Sequence, residues 1–243
     1  DRYAMPHDTF ILIDPDEFAD DLLLWEAVFA YDEIIQMFSK DGEAFNHKSL
    51  DALTKKMSML LQLDVPAFWD SFAKVLEHDT KHVFMPIVIE MLESSELVEF
   101  TPGIDLLRQQ STKMPTTEDR AWLNSFLVHL LILNGNREKA REALTDLKKI
   151  FETPEAIQTA SAIDLDYLTL LTEIENFAYE LGDIRVILGA GNRIGHQQMK
   201  LLERSVQMAP RLVDVNLLYA QALDMNEETE HALQHLLSLH EAL

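Results

Sequence analysis

Apolar residues recur along this chain three and four positions apart, as on one face of a helix, while the residues that reverse a chain are scarce. Seven glycines and eight prolines in 243 residues cannot supply the turn signal that an all-β sandwich needs roughly every 8 to 12 residues. The chain is therefore expected to be all-α. Hydrophobic residues make up 47% and charged ones 26%, a composition that buries a core and lies far from that of disordered chains. Its length fits one to two domains, and the helical signals divide it into a region of short helices over 1–110 and longer paired helices over 111–243.

Asp14-Pro15-Asp16-Glu17 reads as a helix start, with a capping carboxylate, a preset φ and negative charge at the positive end of the dipole. Phe18, Leu22, Trp25, Phe29 and Ile34 then mark a helix over about 15–39, closed by Gly42. Leu50, Leu53, Met57, Leu60 and Leu61 line the next helix, and Asp64 with Pro66 opens a third carrying Phe68, Trp69, Phe72 and Val75. Thr80 is the expected cap of a helix through Leu92 that Pro86 would kink, and Thr101-Pro102 starts another. From Thr116 onward, Phe126, Leu127, Leu130 and Leu131 line one helix and Ala140, Leu144, Leu147 and Phe151 the next. Asn134-Gly135-Asn136 is the turn of this αα-hairpin.

Here the chain resembles the tetratricopeptide repeat family, whose repeats of about 34 residues carry a small residue in the first helix, a turn glycine and an early alanine in the second. Val128, Gly135 and Ala140 match that layout, and Ala220 stands twelve residues before Ala232 as Val128 does before Ala140. Tyr219, Leu223, Leu236 and Leu239 fall at the remaining packing places, with Glu227 where the family has its glycine. The run Leu201 to Pro210 resembles a second helix with its closing proline. The resemblance implies an αα-hairpin superhelix of about 11 to 12 helices whose neighbours bury each other's apolar faces. It also implies a concave groove lined by Trp122, Ser125 and His129 of one pair and by Asp214, Leu217, Gln221 and Asp224 of another. A peptide or a partner helix would lie there.

Five groups of residues offer rival chemistry. Gly189-Ala190-Gly191-Asn192-Arg193-Ile194-Gly195 follows the β-branched run Ile184 to Leu188 and resembles the glycine-rich turn of the dihydrodipicolinate reductase family. Nothing around it supplies the alternating strands and helices of a parallel sheet, so Gly189, Gly191, Asn192, Arg193 and Gly195 are expected to form an inter-helix loop and a secondary contact. His78 and His82 have the i, i+4 spacing of zinc ligands, but the intervening acid is Asp79 and no third ligand is evident. His231, His235 and His240 are read as the polar outer face of a last, capping helix. Asp14, Asp16, Glu17, Asp20 and Asp21 lack the spacing and glycine of a calcium loop. Trp25, Phe29, Trp69 and Phe72 are read as core. Catalytic residues, metals and cofactors are thus not expected.

Forty-two acidic against twenty basic side chains give a net charge of -22, which repels phosphate backbones and anionic membrane surfaces. Residues 1–100 carry 21 acidic and 7 basic groups, so a partner is expected to be a basic protein or peptide, not nucleic acid. The absence of cysteine excludes disulfides and thiolate chemistry, and suits the cytoplasm while leaving the periplasm open. No apolar run reaches the length of about 18 residues that a membrane span needs, and no leader pattern opens the chain. A start at Asp1 fits a processed protein or a piece of a longer one. The expected role is a non-catalytic adaptor, the alternative being a sensory or regulatory domain of a larger signalling or transcription protein that binds a small molecule or peptide.

Overall fold

Helices alone make up the regular structure of residues 15–39, 47–79, 84–95, 98–114, 116–152 and 163–242, the residues that the computed structural model describes. In chain order they are α1 (Pro15–Ser39), α2 (His47–Leu63), α3 (Val65–His78), α4 (Met85–Glu93), α5 (Thr101–Ser111) and α6 (Thr117–Leu133). After these come α7 (Arg137–Phe151), α8 (Leu165–Glu173), α9 (Phe177–Gly189), α10 (His196–Met208), α11 (Val213–Met225) and α12 (Thr229–Ala242). The chain forms two units, Asp1–Gln110 and Ser111–Leu243. No helix among the described residues is long and apolar enough to cross a membrane. Asp14, Gly42, Thr80 and His82 lie outside the described residues, as do the side chains of Phe18, Asp16, Glu17 and Asp20.

In the first unit α2 packs against α1, α3 and α4. Its apolar stripe Leu50, Leu53, Met57 and Leu60 is buried, as are Phe68, Phe72 and Val75 of α3 and Val88 and Leu92 of α4. Burying each such side chain contributes about 1.5–3 kcal/mol. Asp64 starts α3 as expected, its Oδ1 accepting the Ala67 N–H at 3.0 Å, with Pro66 in the first turn where its missing N–H costs nothing. Trp69 lies edge-on between Phe68 and Phe72, with centroids 4.9 and 5.4 Å away, and its indole N–H donates to the Glu99 carbonyl at 3.2 Å.

Two expectations for this unit need correction. Pro86 does not kink a helix, because α4 begins at Met85 and Pro86 occupies its first turn. Among the described side chains of α1, Val28 is buried, 2% exposed, whereas Leu22, Phe29 and Ile34 are 51%, 43% and 36% exposed. The segment is apolar around its whole circumference (Leu22-Leu23-Leu24-Trp25, Val28-Phe29-Ala30), so periodicity alone does not single out the side that meets α2. Phe29 is thus a surface residue, stacked on Trp25 at 6.0 Å.

In the second unit α6 packs against α7 and α11 against α12, each pair joined by a turn short enough to make the helices antiparallel. Thr116 caps α6 by accepting the Asp119 N–H at 3.0 Å, Asn136 caps α7 through the Lys139 N–H at 3.2 Å, and Asp164 caps α8 through the Tyr167 N–H at 2.9 Å. Val128 and Ala140 are fully buried, their small side chains letting the two helices approach. Ala220 and Ala232 hold the corresponding places between α11 and α12 and form one buried cluster with Leu223.

Three helices of this unit end in the same way. Gly135, Gly191 and Glu227 have φ of +71°, +73° and +68°. After each, the next N–H reaches back five residues: Asn136 to the Leu131 carbonyl at 2.9 Å, Asn192 to Ile187 at 3.1 Å and Glu228 to Leu223 at 2.9 Å. This is the Schellman closure of α6, α9 and α11. At the third site a glutamate occupies a conformation that glycine adopts without cost.

Ile184 to Leu188 lies inside α9, and no strand occurs among the described residues. Ile184 and Leu188 are buried at 0% and 2% exposure, one helical turn apart, and Arg185 and Val186 are exposed. The β-branched run is therefore a helix whose i, i+4 positions face inward. α9 and α10 both pack on α8 and on α11. The end of α8 is held by arginines: Arg137 Nη1 donates to the Thr172 carbonyl at 3.0 Å and Arg204 Nη2 to that of Glu173 at 3.4 Å. Arg141 meets the Glu173 carboxylate through two bonds of 2.8 and 3.1 Å. Guanidinium groups there oppose the negative end of the helix dipole.

Candidate interaction surface

The seven groove residues are carried by two helices with different neighbours. Trp122, Ser125 and His129 lie on α6, which packs on α7 and α8, and Asp214, Leu217, Gln221 and Asp224 lie on α11, which packs on α9, α10 and α12. On α6 the side chains turn toward packing. Trp122 is half-buried and stacks on Phe126 with centroids 5.8 Å apart. Ser125 is 4% exposed and its hydroxyl donates to the Trp122 carbonyl at 2.7 Å, which leaves it no surface to offer. His129 Nδ1 lies 3.0 Å from the Ser125 carbonyl. Burial pushes the His129 imidazole below its ordinary pKa, and that backbone carbonyl partly opposes the shift.

On α11 all four residues are exposed along one face, and the three polar ones serve the fold. Asp214 Oδ2 accepts from Arg185 Nη2 of α9 at 3.2 Å, Gln221 Nε2 donates to the Leu188 carbonyl at 3.2 Å, and Asp224 accepts the Thr229 hydroxyl at 2.8 Å. The first two bonds fix α9 beside α11, the third ties α11 to the start of α12, and Leu217, 49% exposed, is the apolar member of the face. The two helices also expose Tyr179 (71%) and Val186 (73%) of α9 and Val213 (40%) of α11. Sequence reasoning missed Tyr179, Val186 and Val213. Tyr179 and Val186 are seven positions apart, a spacing that places them on one helical face.

The glycine-rich segment closes one helix and starts the next. Gly189 ends α9 and Gly195 is the N-cap of α10, its N–H donating to Gln198 Oε1 at 2.9 Å. Of its three glycines only Gly191 has positive φ, and the segment follows a helix where a dinucleotide-binding turn follows a strand. Asn192 takes part in the Schellman closure, and Arg193 is paired with Glu227.

A second concave feature is an open cleft of about 330 Å³ bounded by α10, α11 and α12. Glu203, Tyr219, Glu228, His231 and His235 face it over Met199 and Leu223. His231 Nδ1 lies 2.9 Å from Glu228 Oε2, while the His235 ring stands edge-on to Tyr219 with centroids 5.0 Å apart. The outer side of α12 is largely polar, with Glu230, His231, Gln234, Ser238 and His240 exposed, while His235 is half-buried. Ala232 and Leu239 face inward, and Leu233 and Leu237, one turn apart, are 60% and 56% exposed at the edge of the apolar stripe. His78 closes α3, and among the described residues no three acidic or imidazole side chains gather in a way that would hold a metal ion. A cleft of about 620 Å³ in the first unit, between α2, α3 and α4, is lined by Ser58, Leu61, Gln62, Val65 and Met91 and bears no ionisable group.

Comparison of the chain with models of protein families, with curated proteins and with solved structures gives no match.

Proposed function

We propose that this chain is a non-catalytic protein-interaction module of tetratricopeptide-like helix pairs, and that the joint face of α9 and α11 receives a basic amphipathic segment of a partner protein. The observation that carries this reading is the set of exposed apolar side chains, Tyr179 and Val186 on α9 and Val213 and Leu217 on α11, on two helices pinned side by side by Arg185–Asp214 and by Gln221. Exposed apolar groups gathered on rigid elements are the usual mark of a binding surface. Asp183, Asp214 and Asp224 are exposed on the same helices, and the chain's charge of -22 would speed the approach of a cationic partner. The paired small residues Val128–Ala140 and Ala220–Ala232, with the matching Schellman turns, support the repeat reading of the second unit.

The test is an array of amphipathic helical peptides of matched hydrophobicity and opposite charge, probed with the wild-type chain and with a Val186→Asp/Leu217→Asp variant. Both positions are exposed, so the variant should keep its circular dichroism spectrum. Basic peptides should be retained by the wild type and lost by the variant. Equal retention of acidic and basic peptides, or retention unchanged by the variant, would refute the assignment.

A further inference from the structure

We infer that the cleft between α10, α11 and α12 is a seat for a cation on an aliphatic stem, the side chain of an arginine or lysine. Its floor is apolar, Met199 and Leu223 lying over the buried Ala220–Ala232 contact, which suits a methylene stem. Its walls carry Glu203 from α10 and Glu228 from the start of α12, and no lysine or arginine lines it. Glu203 makes no ion pair or hydrogen bond among the described residues, and the Glu228 carboxylate meets His231 alone. Both carboxylates act on one hydroxyl, holding the Tyr219 phenol above its ordinary pKa after the larger effect of burial, so their fields converge inside the cleft.

The second observation is His235. Its Nε2 is shut off from solvent and has no hydrogen-bond partner, although a buried polar atom left unsatisfied is uncommon in folded proteins. Burial lowers the pKa of this imidazole, which favours the neutral ring, and a neutral ring carrying its proton on Nδ1 offers Nε2 as an acceptor. Two carboxylates and a phenol oxygen line the cleft as acceptors, and the half-buried His235 ring beside them would turn to bring its Nε2 into the set. An anion would be repelled, and a metal ion lacks three converging ligands. A guanidinium brings five N–H donors in a planar fork and an ammonium three, so arginine should bind more tightly than lysine. The volume of about 330 Å³ is at the small end of ligand sites and fits one side chain rather than a nucleotide.

The inference rests on the interaction-module reading only in that a partner protein would present the side chain; the site itself is tested with small probes. The full chain, labelled with nitrogen-15, is titrated with the N-acetyl methylamides of arginine, lysine and citrulline while the His231 and His235 ring resonances are followed. Arginine should give saturable shifts at His235, with lysine weaker and neutral citrulline weaker still. Glu203→Gln and Glu228→Gln should each weaken arginine binding about two- to fivefold, the range for one partly exposed charge pair. Citrulline binding as tightly as arginine, no saturable shift with either cation, or unchanged affinity in both glutamine variants would overturn the inference. Arginine binding by a chain whose peptide capture is insensitive to Val186→Asp/Leu217→Asp would sink the α9–α11 face and leave the cleft standing, and the converse result would remove the cleft alone.

Discussion

Replacing Glu227 by glycine should make the chain more stable. Glu227 closes α11 at φ +68°, in the conformation that Gly135 and Gly191 adopt at the ends of α6 and α9. A residue with a Cβ pays roughly 1–2 kcal/mol there. Glycine relieves that strain but brings a freer unfolded chain, an opposing effect of about 0.4–1 kcal/mol. The side chain's pairing with Arg193 is exposed at both ends and contributes little. The net gain is therefore about 0.5–1 kcal/mol, or an upward shift of about 2–4 °C in melting temperature for a unit of this size. Urea and thermal unfolding followed by far-ultraviolet circular dichroism would measure it, with Glu227→Ala as the control that removes the ion pair and keeps the strain. If the glycine chain proves no more stable than the alanine chain, the strain argument fails, whatever either does relative to wild type.

Three further outcomes are expected. Asp79→Ala should cost about 1–3 kcal/mol, because the buried carboxylate accepts the Phe84 N–H at 2.7 Å and its loss leaves a buried donor unpaired; Asp79→Asn should recover much of this, and a near-neutral alanine variant in urea unfolding would contradict it. Gly182→Ala, in the interior of α9 where a Cβ meets nothing within 4 Å, should add about 0.5–1 kcal/mol, whereas Gly191→Ala at φ +73° should destabilise; equal effects on melting temperature would refute the distinction. Since burial holds His129 below its ordinary pKa of 6.5, the unfolded chain takes up the proton first as the solution is acidified. The neutral ring's contribution is complete above about pH 6.5 and is lost as pH falls toward the lower folded value. His129→Gln should flatten stability between about pH 7 and 5, and a slope identical to wild type would show that other groups carry it.

Helix positions were legible because several signals agreed at each start. Asp64 and Thr116 each make the capping bond that their place at a helix start suggested, and Gly135 makes the expected turn, in which Asn136 also caps α7. Facing was legible where one stripe alone is apolar, as in α2 and α7, whose alternate sides are rich in lysine and acid. It was not legible in α1, where apolar residues lie all round and only the neighbouring helix decides which are covered. The run Ile184 to Leu188 is ambiguous by itself because β-branched side chains suit a strand and a buried helix alike, and the lack of neighbouring strands in the sequence decided for the helix. Glu227 stands where the resemblance puts a turn glycine, and its left-handed backbone comes from the closing bonds around it and not from the residue's own preference. Of the groove residues, those on α11 fall on an open face, while Ser125 shows that a position on the first helix of a pair can point wholly inward.

The triple arginine grip on the end of α8 divides the second unit into seams of different character. Within α6–α7 and α11–α12 the joints are oily and indifferent to dissolved ions. At α8, where α7 and α10 meet the same last turn, buried Leu168, Leu170 and Leu171 are joined by an exposed ion pair, Arg141–Glu173, whose share weakens as the Debye length shrinks. Concentrated salt should therefore cost this seam only the small contribution of an exposed ion pair and leave the two flanking hairpins untouched.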